Sequence, residues 1–153
     1  MIYFEFNHEK QVICSSWTGQ VQIDEIYEYI DRLAQLRTSY NCLYILQDDT
    51  RSEILINHTR DLHRIIAQVL EHLSCFNKVC MAHIVGGPQQ TVLAMMYKEY
   101  LKDSPLFINE AFSTPDAGLK WLKEKQMINC CLATNSNYGP DQCQRQTPCE
   151  TAE

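Results

Sequence analysis

The chain has 153 residues, of which 45% are hydrophobic and 21% charged, and its formal net charge is −6. That length suits one domain able to bury its own core without disulfides or a metal. No basic stripe offers itself to nucleic acid or to an anionic membrane surface, and no apolar run approaches the roughly 20 residues of a membrane-spanning helix.

The opening MIYFEFNHEK has neither a basic n-region nor an apolar h-region, so no secretory leader is expected and the expected compartment is the cytoplasm. The eight cysteines are accordingly expected to be reduced thiols. Within that opening, Ile2, Phe4 and Phe6 alternate with Tyr3 and Glu5, which predicts a half-buried strand. Asn7–Lys10 is a polar turn, and Gln11–Trp17 a second strand completing an antiparallel hairpin that Thr18-Gly19 ends. The spacing of Ile23, Ile26, Tyr27, Ile30, Leu33 and Ala34 predicts a helix over Ile23–Arg37. Leu43–Gln47 is a continuous apolar run, as in a strand covered on both faces.

A second helix is expected over Thr59–Phe76, a doubly covered strand over Val79–Val85, and a turn at Gly86-Gly87-Pro88 with Pro88 opening the next helix. That third helix, Gln89–Leu101, would turn Val92, Leu93, Met96 and Tyr100 inward. Leu106–Ile108 is a short strand. Thr114 caps a last helix begun by Pro115, burying Ala117, Trp121 and Leu122 and ending near Gln126. The order β-β-α-β-α-β-α-β-α implies a mixed, mostly parallel five-stranded sheet with about four helices. From Asn129 the periodicity fails, so residues 1–126 read as the domain and 127–153 as a disordered, cysteine-containing tail.

Three stretches carry a resemblance: GQVQIDEIYEYI at Gly19–Ile30, LYILQDD at Leu43–Asp49, and AFSTPDAGLKWL at Ala111–Leu122. With the element order they resemble the STAS domain, and more specifically the SpoIIAA-like (STAS/SEC14-type) group of small bacterial proteins. The resemblance covers about Met1–Lys125. It implies a cytosolic, non-catalytic regulatory domain that docks a partner protein, in some relatives under serine or threonine phosphorylation, or that holds a lipid-like apolar ligand. Phosphorylatable relatives carry Asp-Ser, a small residue and glycine at the strand-to-helix junction. Here the junction reads Asp48-Asp49-Thr50-Arg51-Ser52-Glu53, without the glycine.

In an open α/β sheet, ligands meet the protein beyond the carboxyl ends of the strands. The candidate site is therefore the expected loop after the third strand: Asp48, Asp49, Thr50, Arg51, Ser52, Ile54, Leu55 and Ile56, with the segment from Asn57 to Asp61 beside it. Thr50 and Ser52 are the candidate phosphate acceptors. Ile54-Leu55-Ile56 is the candidate apolar anchor for a protein partner. A small enzyme using Asp48 or Asp49 with a nearby histidine is the alternative. Adjacent residues on an extended strand face opposite ways, so the two acids would not form a close pair.

Other constellations carry less. His72, Cys75, Cys80 and His83 have zinc-like spacing, but Cys80 and His83, three apart on a strand, would face opposite sides. Cys130, Cys131, Cys143 and Cys149 contain no C-x2-C pair. His58 and His63 are off zincin spacing, and Ser15 and Ser16 lie in no G-x-S-x-G setting. Gly86-Gly87-Pro88 lacks both the Walker A and the dinucleotide patterns. No metal and no cofactor is therefore expected. Self-association through Ile2–Phe6 as an exposed edge strand, giving a homodimer, is a further expectation.

Overall fold

The computed structural model describes residues 1–56 and 59–134. Strands β1 (Ile2–Asn7) and β2 (Val12–Val21) form the expected antiparallel hairpin. There follow α1 (Ile23–Gln35), closed by a 3-10 turn at Leu36–Thr38, then β3 (Cys42–Ile54), α2 (Thr59–Leu73), β4 (Lys78–Ile84), α3 (Pro88–Leu101), β5 (Phe107–Phe112) and α4 (Pro115–Thr134). The sheet order is β1-β2-β3-β4-β5, with β2 through β5 parallel. This is the mixed, mostly parallel five-stranded architecture that the alternation of elements predicts.

Each parallel crossover advances one strand in the same direction. Right-handed connections therefore place α1, α2 and α3 on one face of the sheet, and α4 covers the other. The two cores reflect this. Ile13, Trp17, Ile45 and Met81 belong to the core shared with α1, α2 and α3. Val12, Leu46, Cys80, Ala82 and Ile84 pack with Leu122 of α4. Gly118 is where α4 comes closest to the sheet, since a Cβ there would stand 2.8 Å from Leu46 Cδ1 and 2.9 Å from Ile84 Cδ1.

The structure corrects the sequence reading at four places. Thr18-Gly19 does not end β2. The strand runs on to Val21, with Gly19 at φ +66°, where a glycine costs least. β3 likewise does not stop at Gln47 but continues to Ile54, so the expected loop from Asp48 to Ser52 is strand. On α3 the buried residues are Ala94 and Leu101, while Val92 and Tyr100 are exposed. The apolar residues of α3 are scattered around its circumference, which leaves periodicity no single face to report. Finally, α4 continues to Thr134, and Ala117 is exposed while the next residue, Gly118, is buried. Cys143 and Cys149 lie outside the described residues.

Candidate functional site

The three central strands share one pattern on the face covered by α1, α2 and α3. Each is apolar early and polar late: Ile13 then Ser15 and Trp17 on β2, Leu43 and Ile45 then Gln47 and Asp49 on β3, Val79 and Met81 then His83 on β4. The period-two geometry of a strand puts each series on one side. Ser15, Gln47, Asp49 and His83 are all buried. Burial without partners would cost each of them about 1–3 kcal/mol, so they must bond to one another or to something held among them.

The β3–β4 register sets part of this out. His83 pairs with Gln47 across the sheet, and Asp49 is the next residue along the same face of β3. The Gln47 amide donates to Asp49 Oδ1 at 2.9 Å and Oδ2 at 3.1 Å, and His83 Nδ1 lies 3.4 Å from Asp49 Oδ2. Above them, the Tyr29 hydroxyl of α1 donates to Ser15 Oγ at 3.1 Å. Burial holds the Tyr29 hydroxyl well above the ordinary phenol range; its bond to Ser15 acts against this and the Asp49 charge adds to it. Burial likewise raises Tyr97, whose ring meets that of His83 edge-on at 5.6 Å.

A β-bulge then resets which residues face inward beyond Asp49. Ser16 pairs with Asp48 and Thr18 with Arg51, so Asp49 and Thr50 together oppose the single residue Trp17. An inserted residue re-aims the side chains that follow it. Asp49 and Ser52, three apart, are therefore both buried, while Thr50 and Arg51 between them are exposed. The Asp48 carboxylate braces the bulge by accepting from the Thr50 backbone N–H at 3.0 Å and the Thr50 hydroxyl at 2.6 Å.

Sequence reasoning thus placed Asp48–Ser52 on one loop, whereas the structure splits these residues between two environments. Asp49 lines an interior cavity, while Thr50 and Arg51 belong to the outer surface, where Arg51 donates to Ser16 Oγ at 3.2 Å. Of the two candidate phosphate acceptors, Thr50 is at the surface. Ser52 is only 5% exposed, and its hydroxyl donates to the Asp49 carbonyl at 3.0 Å. Ile54, Leu55 and Ile56 are half-buried rather than a free apolar patch. Ile54 and Ile56 pack against the core.

The cavity lies beneath α2, whose close backbone neighbours are α1 and α3 rather than the strands. Its volume is about 70 Å³. The walls are mainly aliphatic and aromatic, including Ile26, Leu62, Ile65, Val69 and Met81. Trp17, Tyr29, Gln47, Asp49, His83 and Tyr97 belong to the same lining. Ile54, Ile56, Leu62 and Leu93 also line a more open groove of about 550 Å³ between the beginnings of α2 and α3. Trp17 Nε1 and His83 Nε2 are buried without a hydrogen-bond partner among the described residues.

The zinc-like set does not converge. His72 is half-buried, with Nδ1 2.7 Å from Asp31, and Cys75 is exposed. Cys80 belongs to the α4 side of the sheet and His83 to the cavity side. No three potential ligands come together among the described residues.

Sequence reasoning missed Trp17, Tyr29, Gln47 and Tyr97 as cavity residues and weighed His83 only as a zinc ligand. A usable signal was present. Gln47 and His83 each sit at the end of an otherwise apolar run in a strand covered on both faces, where a polar residue demands a partner.

No protein-family model and no curated protein matches the chain. Among solved structures, it is similar to an uncharacterized protein of the DUF3478 family from Shewanella loihica, described as having a SpoIIAA-like fold. The two are 20% identical with a TM-score of 0.53, over 80% of this chain and 92% of that one. The chain therefore has a SpoIIAA-like fold, as the resemblance in its sequence implies.

Proposed function

We propose that this domain is a non-catalytic binding module whose cavity and adjoining groove take one small, mainly apolar ligand. The observation that carries this reading is the cavity itself: a mostly apolar chamber that includes the late residues Gln47, Asp49 and His83 of parallel strands and shares Ile54, Ile56, Leu62 and Leu93 with a groove. Ligand sites are typically concave, mostly apolar and furnished with a few fixed polar groups. The groove volume of about 550 Å³ falls in the usual range for such sites.

Binding is favoured over catalysis by the way the polar residues are used. Both Asp49 oxygens accept from Gln47, and Oδ2 also faces His83. No nucleophile is hydrogen-bonded to His83 Nε2 among the described residues, whereas an activated serine or cysteine requires that contact. Docking of a partner protein is a second reading, favoured by Val92 and Met95, which are 53% and 62% exposed on α3 beside the groove.

Native mass spectrometry of the protein isolated from its own cells tests both. The ligand reading expects an adduct of a few hundred daltons that a groove-filling Leu93→Trp variant lacks. A protein-sized adduct in its place would favour docking. Bare protein from every preparation would count against both.

A further inference from the structure

We infer that β1 pairs with β1 of a second copy of the chain, antiparallel and across a two-fold axis at Phe4, so that one sheet runs through both molecules. The inference is independent of the cavity, whose lining contains no residue of β1. β1 closes one end of the sheet, with β2 on one side and no described strand on the other.

The hairpin register decides which backbone groups this edge presents. Met1 and Thr18 exchange both of their backbone bonds, at 2.9 and 3.0 Å. Bonded and non-bonded pairs alternate along an antiparallel ladder. With Ile2 opposite Trp17 and Asn7 opposite Val12, the backbone groups of Tyr3, Glu5 and Asn7 therefore bond to β2. The N–H and C=O groups of Ile2, Phe4 and Phe6 point away from it, and no described residue bonds to them.

Such edges are normally guarded by proline, by lysine, by a bulge or by a covering element. β1 reads IYFEFN, with neither of those residues, and its register with β2 is unbroken. Its side chains instead suit a copy of themselves. Ile2, Phe4 and Phe6 pack against the core yet stay half-buried, an apolar row along the open edge. Tyr3 and Glu5 are exposed on the opposite face, where the Tyr3 hydroxyl donates to the Glu5 carboxylate of its own chain at 3.1 Å.

Only the outward-pointing residues can bond across the edge, which restricts the two-fold registers. With the axis at Phe4, Phe4 faces itself, Ile2 faces Phe6, and Tyr3 faces Glu5 of the other copy. This overlap uses the whole outward row and forms about six backbone hydrogen bonds. Apolar side chains meet one another, and each carboxylate meets a phenol that can donate to it. An axis at Glu5 would set the two Glu5 carboxylates against each other, and an axis at Tyr3 would leave Phe6 outside the paired strands. The chosen axis brings Arg32, whose guanidinium stands 4.4 Å from the Phe4 ring centre, toward its own copy. Salt screens that repulsion, so association is measured at physiological ionic strength. One strand edge per copy suits a reversible dimer.

Analytical ultracentrifugation of the full chain from about 1 μM to about 1 mM should show a monomer–dimer equilibrium. Two variants at exposed positions read the register, with circular dichroism of dilute samples confirming that each folds. Tyr3→Glu opposes like charges on both sides of the axis and should weaken dimerisation about tenfold. Tyr3→Glu combined with Glu5→Lys opposes unlike charges at the same places and should recover the parent affinity. Residue-resolved amide exchange of the parent needs no variant. The N–H groups of Ile2, Phe4 and Phe6 should be protected in concentrated samples and free in dilute ones, with Tyr3 and Glu5 protected in both. A monomer at every concentration would overturn the inference, as would a dimer whose Phe4 amide exchanges freely or one indifferent to both variants. A native mass spectrum with a protein of different mass, lost on Tyr3→Glu, would overturn it in favour of a strand from another chain.

Discussion

Asp49 and His83 are 34 positions apart in sequence, yet Oδ2 of one lies 3.4 Å from Nδ1 of the other, held there by two adjacent parallel strands. Both are nearly inaccessible to solvent, at 4% and 5% exposed. The contact is long for a hydrogen bond. It nevertheless joins the bulge of β3 to the floor of the cavity.

Truncating Asp49 should expose how much rests on this contact. Asp49→Ala leaves the Gln47 amide and His83 Nδ1 buried without an acceptor, at an expected cost of about 1–3 kcal/mol. Glu53→Ala, at an exposed position of the same strand, should change stability by less than about 0.5 kcal/mol. Urea denaturation of the two variants beside the parent protein checks this. Equal effects would mean that the buried carboxylate is not structurally committed.

Two backbone positions should respond in opposite directions. Gly19 has φ +66° with nothing within 4 Å of a Cβ built on it, so Gly19→Ala should destabilise by about 1 kcal/mol through conformation alone. Gln11 has φ +54°, and Gln11→Gly should relieve strain of about the same size. Thermal unfolding midpoints that move down for the first variant and up for the second are the expected result.

Alkaline pH should weaken the fold in a defined window. Burial pushes the Cys80 thiol from 9.0 up to about 11, and burial also raises the Tyr29 hydroxyl from its ordinary 10.0. A group whose folded pKa is raised contributes its full stability below its unfolded pKa and loses it as pH climbs toward the folded value. Stability should therefore decline from about pH 9 as the unfolded Cys80 thiol ionises, and further above about pH 10 through Tyr29 and Tyr97, both raised by burial. Cys80→Ala should lessen the first part of the decline, to which the Cys14 and Cys42 thiols, also raised by burial, contribute, and keep the second, as followed by denaturation at a series of pH values.

Thiol labelling gives an independent reading of the same burial. Cys75 is exposed and Cys80 is buried. Peptide mapping after brief alkylation near neutral pH should find Cys75 modified and Cys80 intact until the chain unfolds.

The fold was legible because hydrophobic periodicity reports directly on burial. Ile2, Phe4 and Phe6 alternate, the stripe from Ile26 to Leu33 keeps helical spacing, and the run Leu43–Leu46 is apolar throughout, so these elements follow from the residues alone. The site was legible only in outline. Asp49 stood out, but its surroundings depend on a bulge opposite Trp17, and a bulge is decided by pairing with a neighbouring strand that local sequence does not encode. Polar residues after Gln47 suggested a loop, yet tertiary pairing with β2 holds Asp48–Ile54 extended. Tyr29 and Tyr97 converge on the cavity from separate helices, and neither carries a local mark that separates it from Tyr27 or Tyr100.

The most direct test of the cavity as a binding site is a methyl-resolved NMR titration of the whole protein with 1-octanol. The account predicts saturable shifts confined to residues such as Ile54, Ile65, Met81 and Leu93, absent in Leu93→Trp, with Leu122 and Ile108 on the opposite side of the sheet unmoved. Shifts spread over both faces, or none at the cavity, would contradict it.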